Sequence, residues 1–491
     1  MAETQTEEKA APASGLDRYF RISQRGSSIG REFRGGLTTF FTMAYIVVLN
    51  PIILGTVPDK DGNFIGGSPD GPNVIAVAAA TALVAGIMTI LMGSFAKFPI
   101  AIAAGLGLNA YVTFGLVGGG LFTWPEAMGL IVIEGAIVLV LVLTKLRIKF
   151  LYAVPMALKK AIAAGIGLFL AYIAFWDSRL VLDDGSGATP GSFGLGGGIN
   201  SWPAVIFVVG ILLGAILLVK KVHGALLITI AVGTVLAFIV EAVANLGSVV
   251  DNPRGWSLVV PSFDGMKWDI VPDFSLLGQF SITGPFTNGP AIVTVLLIIF
   301  SLLVVDFFDT MGTMTAVGEE AELNDEDGIP EDSQAILIVD SVAAMAGGAA
   351  STSSNTSYIE SASGVGDGAR TGIASIVTGL AFLVAVFLAP LAQIVPFEAA
   401  TPVLVLVGLM MLRSAVDLDW RDYRIAVPAF LTIIVMPFGY SIAAGIGLGF
   451  VSYVVINAFT GRIKDIKPLM WAGAAAFVVY FAMVGLDTVI N

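Results

Sequence analysis

The amino-acid sequence predicts an all-α polytopic membrane protein of fourteen transmembrane segments, arranged as an inverted repeat of seven plus seven. Three observations predict this class. Mean hydropathy is +0.89, with 56% hydrophobic and 13% charged residues over 491 positions, far more apolar side chain than a soluble domain of that length buries. Apolar runs of about 20 residues, the length a bilayer core demands, recur along the chain. With the N-terminus inside, 21 of the 25 Lys and Arg residues fall on the cytoplasmic side, as the positive-inside rule requires.

Residues 1–35 are polar, carry Arg18, Arg21, Arg25, Arg31 and Arg34, and lack a cleavage pattern. They read as a cytoplasmic tail before an uncleaved first span. Spans 1 to 7 are expected at 36–56, 73–93, 97–117, 124–144, 155–176, 201–219 and 224–246. A long external loop, 247–286, contains Pro and Asp and divides the chain. Spans 8 to 14 follow at 287–313, 333–350, 351–369, 370–392, 399–412, 425–440 and 441–459. The further apolar segment 468–488 either crosses a fifteenth time or lies along the interface. The 57 glycines suit close helix approach in a membrane. The similar strings IAAGLGL (102–108), IAAGIGL (162–168) and IAAGIGL (442–448) occupy non-equivalent spans, so they read as packing surface rather than as a repeat.

Composition excludes several chemistries. There is no cysteine, hence no disulfide, thiol catalysis or Cys metal site. The single histidine, His223, stands beside Lys220 and Lys221 at a span boundary, which leaves no His cluster for zinc or for a serine triad. The net charge of -12 arises mostly in loops, notably Glu319 to Asp332, and an acidic run of this kind is ordinarily a solvated loop.

The chemistry gathers in Leu302 to Thr315, LLVVDFFDTMGTMT, where Asp306 and Asp309 sit in an apolar run and no Lys, Arg or His lies between Lys267 and Arg370. Each carboxylate costs on the order of 3 kcal/mol at the centre of a membrane helix, so the pair needs a functional reason. At a spacing of three they project to nearly one helix face. Two like charges that close cannot both ionise comfortably in a dry site, so one of the pair should bind a proton readily.

Two spans do not read as ordinary helices. Span 3, KFPIAIAAGLGLNAYVTFGLV, carries Pro99, Gly105 and Gly107 followed by Asn109, which interrupts a helix near mid-membrane. Span 10 opens with STSSNTS and then places Glu360 near its middle. Reading span 10 as an external loop would move Arg370 and every later basic loop to the wrong face, so a half-extended, half-helical span is expected. These are the third segments of each seven, and a matched pair of interrupted segments points to a transporter site near the midplane.

The stretches FTMAYIVVLNP (41–51), FPIAIAAGLGLNAY (98–111), LKKAIAAGIGLF (158–169), VDFFDTMGTM (305–314), the span 10 run (352–372) and PAFLTIIVMPFGYSIAAGIGLGFVSY (428–453) resemble the nucleobase-cation symporters of the nucleobase-ascorbate transporter superfamily. The resemblance is to the azaguanine-type adenine/guanine/hypoxanthine permeases, and it runs across almost the whole chain. It implies a core domain from 36–147 (spans 1–4) and 287–392 (spans 8–11). It implies a gate domain from 148–246 (spans 5–7) and 393–460 (spans 12–14), short antiparallel strands in spans 3 and 10, and a homodimer. The tail 1–35, the loop 247–286 and a C-terminal apolar segment, 461–491, complete the chain. Carried over residue by residue, substrate contacts fall on Asn109, Asp306 and Glu360, the coupling acid on Asp309, and a further acid holding the site together on Asp340. Uracil or xanthine carriers of the family have Glu in span 8 or Gln in span 10, so Asp306 and Glu360 favour the adenine/guanine/hypoxanthine branch. Ala104 stands where many relatives have Pro.

The expected activity is import of purine nucleobases by cation symport in the cell membrane, with H+ as the coupling ion. No metal, organic cofactor or nucleic-acid partner is expected. Glu360 and Asp306 suit ring N–H and amino donors, and Asn109 with the N–H groups of the broken helix suits an exocyclic oxygen. Phe307 and Phe308 are placed to stack on a base, although aromatics in apolar spans are more often packing. An anion carrier of the same architecture would want a cation at the site. An aspartic protease would want its two acids on facing helices, and a passive channel would fail to accumulate its substrate.

Overall fold

The structure is a computed structural model that describes residues 15–144, 154–182, 192–194, 198–257, 259–263, 271–325, 329–330 and 332–490. Ten of its helices are long and apolar enough to cross a membrane, and four shorter apolar helices accompany them, at 106–117, Ser333–Ala349, Tyr423–Phe438 and Pro468–Ala482. Residues 468–482 thus begin a helix, Pro468–Ile490, that packs beside Ile442–Phe459.

Local chemistry explains where the helices start and bend. Thr123 caps Trp124–Leu143 through a capping box with Glu126, with Pro125 in the first turn, where its missing N–H costs nothing. Ser201 and Ser441 cap Trp202–Val219 and Ile442–Phe459 more simply, each hydroxyl accepting from one backbone N–H, of Ala204 and Ala444. The first span is two helices, Ile29–Met43 and Ile46–Leu54, the second with Pro51 inside it. The eighth span is one long helix, Ile292–Glu320, which begins later and runs further than the expected 287–313.

The spans fall into two packing groups. Spans 1 and 2 pack against span 11, span 4 against spans 8 and 9, and span 9 against the strand of span 10. Span 5 packs against spans 12 and 13, span 13 against span 14, and span 6 against span 7. Small residues set the closest approaches. A side chain at Gly93 or Gly372 would collide with the carbonyl oxygen of the other, and Gly167 and Gly408 stand in the same relation between spans 5 and 12. Spans 6 and 7 cover little of their surface, leaving Leu212 58% and Val235 59% exposed, an apolar face that suits lipid rather than water.

Four short strands occur among the described residues: β1 (Ile102–Ala104), β2 (Val181–Leu182), β3 (Ser192–Phe193) and β4 (Asn355–Ser357). The β2–β3 pair is peripheral. The β1–β4 pair joins the two broken spans antiparallel, with Ile102 opposite Ser357, Ala103 opposite Thr356 and Ala104 opposite Asn355. Every residue from Ser351 to Tyr358 is buried, so extended backbone at this depth lies inside protein, the condition under which a membrane tolerates it.

Candidate functional site

The strand pair creates the site because its free backbone groups recruit side chains from spans 2 and 9 and from span 10 itself. Thr89 accepts from Ile102 N and donates to Ile102 O at 2.9 and 3.0 Å. Ser361 Oγ accepts from Ala101 N at 3.0 Å, and the Tyr358 hydroxyl donates to Ala104 O. After β1 the chain becomes helical at Leu106–Ala110 and carries Asn109, which is fully buried. After β4 it becomes helical at Ser361–Gly366, with Glu360 at the N-cap position.

Asn109 and the acids occupy two layers. The lower layer is dry: Asn109 and Asp306 are 0% exposed and Asp340 is 1% exposed. Asp340 is the most fully held, accepting from Ser357 N at 3.0 Å, Ser357 Oγ at 2.8 Å and Thr310 Oγ1 at 2.6 Å. Three donors on one carboxylate fix its rotamer. Asp306 accepts from Ser354 Oγ at 3.3 Å. The upper layer faces open space: Asp309 is exposed and Glu360 half-buried, and Glu360 accepts from the Tyr45 hydroxyl at 2.7 Å. Asp306 and Asp309 therefore belong to one helix but to different layers, one facing the strand pair and one facing the cavity.

Hydrogen bonding fixes the direction of Asn109. Asn50 Nδ2 donates to Thr81 Oγ1 at 2.8 Å and to the Thr352 carbonyl at 3.3 Å. A carbonyl only accepts, so the Asn50 amide has one orientation. Its Oδ1 then takes Asn109 Nδ2 at 2.6 Å, and Asn109 Oδ1 is left buried without a partner. Asn109 thus offers an acceptor, the reverse of the donor role that its residue type suggested toward an exocyclic oxygen.

Above these groups lies a cavity of about 1050 Å³, at the upper end of the roughly 300–1,000 Å³ of small-molecule sites. Asp309, Glu360, Gly107 and Leu108 line its floor, Ile162 and Met411 its opposite wall. Lys160, Lys221, His223 and Arg413 line its mouth. The same face carries the N-terminal segment: Arg25 reaches the Lys97 carbonyl at 2.8 Å, and Thr38 reaches Asp367 at 2.5 Å. Asn109, Asp306 and Asp340 do not reach this cavity. Phe307 is buried away from it, a packing residue, and the Phe308 side chain lies outside the described residues. No metal-binding group of His, Cys, Asp or Glu occurs among the described residues.

Three polar residues of the site were not singled out from the sequence. Tyr45 and Asn50 of span 1 hold Glu360 and Asn109. Glu134 of span 4 is fully buried. Asn50 and Glu134 each had a signal available, a lone polar residue in a long apolar run, whereas Tyr45 is unremarkable at its position.

Two interrupted spans meeting beneath a cavity with carboxyl groups on its floor, within a multi-span helical bundle, define a membrane carrier fold. The fold itself is found in solved structures. The transmembrane domain of the cyanobacterial bicarbonate transporter BicA superimposes with a TM-score of 0.56 at 13% identity, covering 84% of this chain and 97% of that one. The anion transporter Slc26a9 of the mouse gives 0.57 at 12% identity, covering 93% and 74%. The model of the family described as Permease family (Xan_ur_permease) matches residues 30–448, and the chain belongs to that family. Among its relatives, the guanine/hypoxanthine permease PbuG of Bacillus subtilis (strain 168) is 37% identical over 469 residues, 94% of this chain and 98% of PbuG. The adenine permease AdeP of Escherichia coli (strain K12) is 35% identical over 465 residues, 94% and 95%.

Proposed function

We propose that this protein imports purine nucleobases, namely adenine, guanine or hypoxanthine, by proton symport through alternating access. The observation that carries the reading is the pairing of Glu360 and Asp309 on the cavity floor, in a stretch of sequence with no base between Lys267 and Arg370. A neutral purine presents ring N–H donors to such acceptors. A buried acceptor left without its donor is costly, so the site discriminates against analogues that lack the N–H group. The permease names of relatives matched over almost their full length support the substrate class.

In the mechanism, Glu360, oriented by the Tyr45 hydroxyl, accepts the purine N–H, while the N–H groups at Gly107 and Leu108 are available to an exocyclic oxygen. Asp309 takes the proton. Asp306 and Asn109 complete the contacts as the two packing groups close on the base, with spans 1–4 and 8–11 as the core and spans 5–7 and 12–14 as the gate. The basic side chains Lys160, Lys221 and Arg413 around the cavity, on the face the positive-inside rule would make cytoplasmic, support reading this as an inward-open form with the loop 247–286 external. The protein sits in the cell membrane with its N-terminus inside, and the working unit is a homodimer.

Anion transport on this fold is disfavoured, because an anion on the floor would meet Asp309 and Glu360. Purified protein in proteoliposomes should accumulate labelled hypoxanthine, guanine or adenine when the driving side is acid, and leave uracil and sulfate outside. Uptake of none of the three purines would overturn the reading. Asp309→Asn should still bind purine while losing pH-driven accumulation. Concentrative, pH-dependent uptake by that variant would remove Asp309 from the coupling role.

A further inference from the structure

The charged side chains lining the large cavity are sorted by wall. Its two acids, Asp309 and Glu360, both come from spans 8 and 10. Its basic side chains among the described residues, Lys159, Lys160, Lys221, His223 and Arg413, all come from the other packing group, on span 5, the connection between spans 6 and 7, and the end of span 12. Lys160 and His223 have acidic neighbours: Lys160 Nζ lies 3.0 Å from Asp417 Oδ2, and His223 Nε2 lies 3.9 Å from Asp367 Oδ1. The Lys160 and Asp417 side chains are 32% and 67% exposed, and an ion pair so open to water holds weakly. Lys221 and Arg413 pair with no acid among the described residues.

The two sets also differ in depth. Lys160 stands six residues before Ile166 on span 5, and a side chain at Gly107 of the floor would meet the Ile166 Cγ2 at 2.8 Å. Arg413 stands six residues beyond Val407, which also lines the cavity. Six residues of helix rise about 9 Å, so the basic tier stands about that far from the floor. This is roughly one Debye length at physiological salt, so water in the open cavity screens an anion at the basic tier from the acids below. A bare purine on the floor leaves the basic tier unused. The cavity of about 1050 Å³ has room for a larger ligand, and a purine bearing ribose and a 5′-phosphate reaches both tiers. Ribose replaces only the hydrogen on N9. The ring N–H and amino donors of the six-membered ring remain for Glu360 and Asp309, and the phosphate brings a charge of about −1.5 to −2 for the bases.

We propose that purine nucleoside 5′-monophosphates bind this cavity as inhibitors, with the base on the floor acids and the phosphate on Lys221 and Arg413, joined by Lys160 released from Asp417. Such a ligand bridges the two packing groups, and the gap between them cannot close while it is bound. It blocks the carrier instead of riding on it. A reaction that joins an imported base to a phosphorylated pentose would make this inhibitor. The base end of the proposal rests on the transport reading, and the phosphate end rests on the basic tier.

The test uses the full-length protein in detergent, wild type against the double variant Lys221→Gln/Arg413→Gln, each first shown monodisperse. The readout is displacement of a labelled purine base, hypoxanthine, guanine or adenine, by the 5′-monophosphate of the same base. The nucleotide should displace the base from wild type and bind the variant at least about tenfold more weakly, while the base itself binds both alike. Added salt should weaken the nucleotide and not the base. The nucleoside, which lacks the phosphate, and inorganic phosphate, which lacks the base, should each compete at least about tenfold less well than the nucleotide. No displacement by any nucleotide, equal displacement by nucleoside and nucleotide, or unchanged nucleotide affinity in the variant would each overturn the proposal. In proteoliposomes, nucleotide supplied on the side of the basic mouth should stop uptake of the base, and passage of labelled nucleotide across the membrane would overturn the inhibitor role. Failure of wild type to bind any purine base sinks the transport reading instead, whereas binding of the base without binding of its nucleotide sinks this proposal alone.

Discussion

Glu360 shows how much of the site's behaviour is decided by single contacts. Its carboxylate is held by one phenol, Tyr45, at 2.7 Å, and hydrogen bonds to charged groups contribute about 1.5–3 kcal/mol. Tyr45→Phe should therefore weaken hypoxanthine binding by about ten- to hundredfold without unfolding the protein, which isothermal titration would register. An unchanged affinity would mean that Glu360 needs no orienting partner. Asp422 behaves differently. The Arg424 guanidinium and backbone N–H hold its carboxyl down to about 2, so it is ionised wherever the protein is assayed. A depressed acid contributes stability that is lost only as pH falls through that low value. Asp422 therefore plays no part in the proposed proton coupling, which the mechanism assigns to Asp309 on the cavity floor.

At the scale of elements, the two broken spans and the helix Ile292–Glu320 are tied by Thr310. Its hydroxyl donates to Asp340 of span 9 and lies 3.0 Å from Thr356 Oγ1 of β4. Thr310→Val keeps the shape and removes the donor from a buried carboxylate, which should cost about 1–3 kcal/mol of stability, visible as a lower unfolding temperature in detergent. An unshifted unfolding temperature would show that the β1–β4 pair is held by its backbone bonds alone. Much of this element was legible in advance. Pro99, Gly105 and Gly107 announced the break in span 3, and the Ser/Thr/Asn run announced the one in span 10, because residues that compete with helical hydrogen bonding or bend the backbone leave a local trace. The pairing register was not legible, since nothing in IAA or NTS specifies which residue faces which. Nor were the contributions of Tyr45 and Asn50, which depend on span 1 crossing the strands. The layering of Asp306 and Asp309 was likewise hidden: three-residue spacing places two side chains on one helix face, but the 60° that separates them decides between strand pair and cavity.

Across the whole molecule, basic side chains gather around the cavity. The cavity mouth, the N-terminal segment and the loops bearing Lys220, Lys221 and Arg413 share one face, as the distribution of basic residues requires. The open cavity separates the wall built by spans 5 and 12 from the floor built by spans 3, 8 and 10. Closure of that gap is the movement that would carry a base across. On the proposed reading its cargo is a base recognised by the acceptor groups Asp309 and Glu360 on that floor. The most direct measurement follows the two cargoes together: the internal pH of proteoliposomes after external hypoxanthine is added in the absence of any imposed gradient. Wild type should acidify its interior as the purine enters, and Asp309→Asn should not. Entry of labelled hypoxanthine into wild-type vesicles with no accompanying acidification would contradict the account.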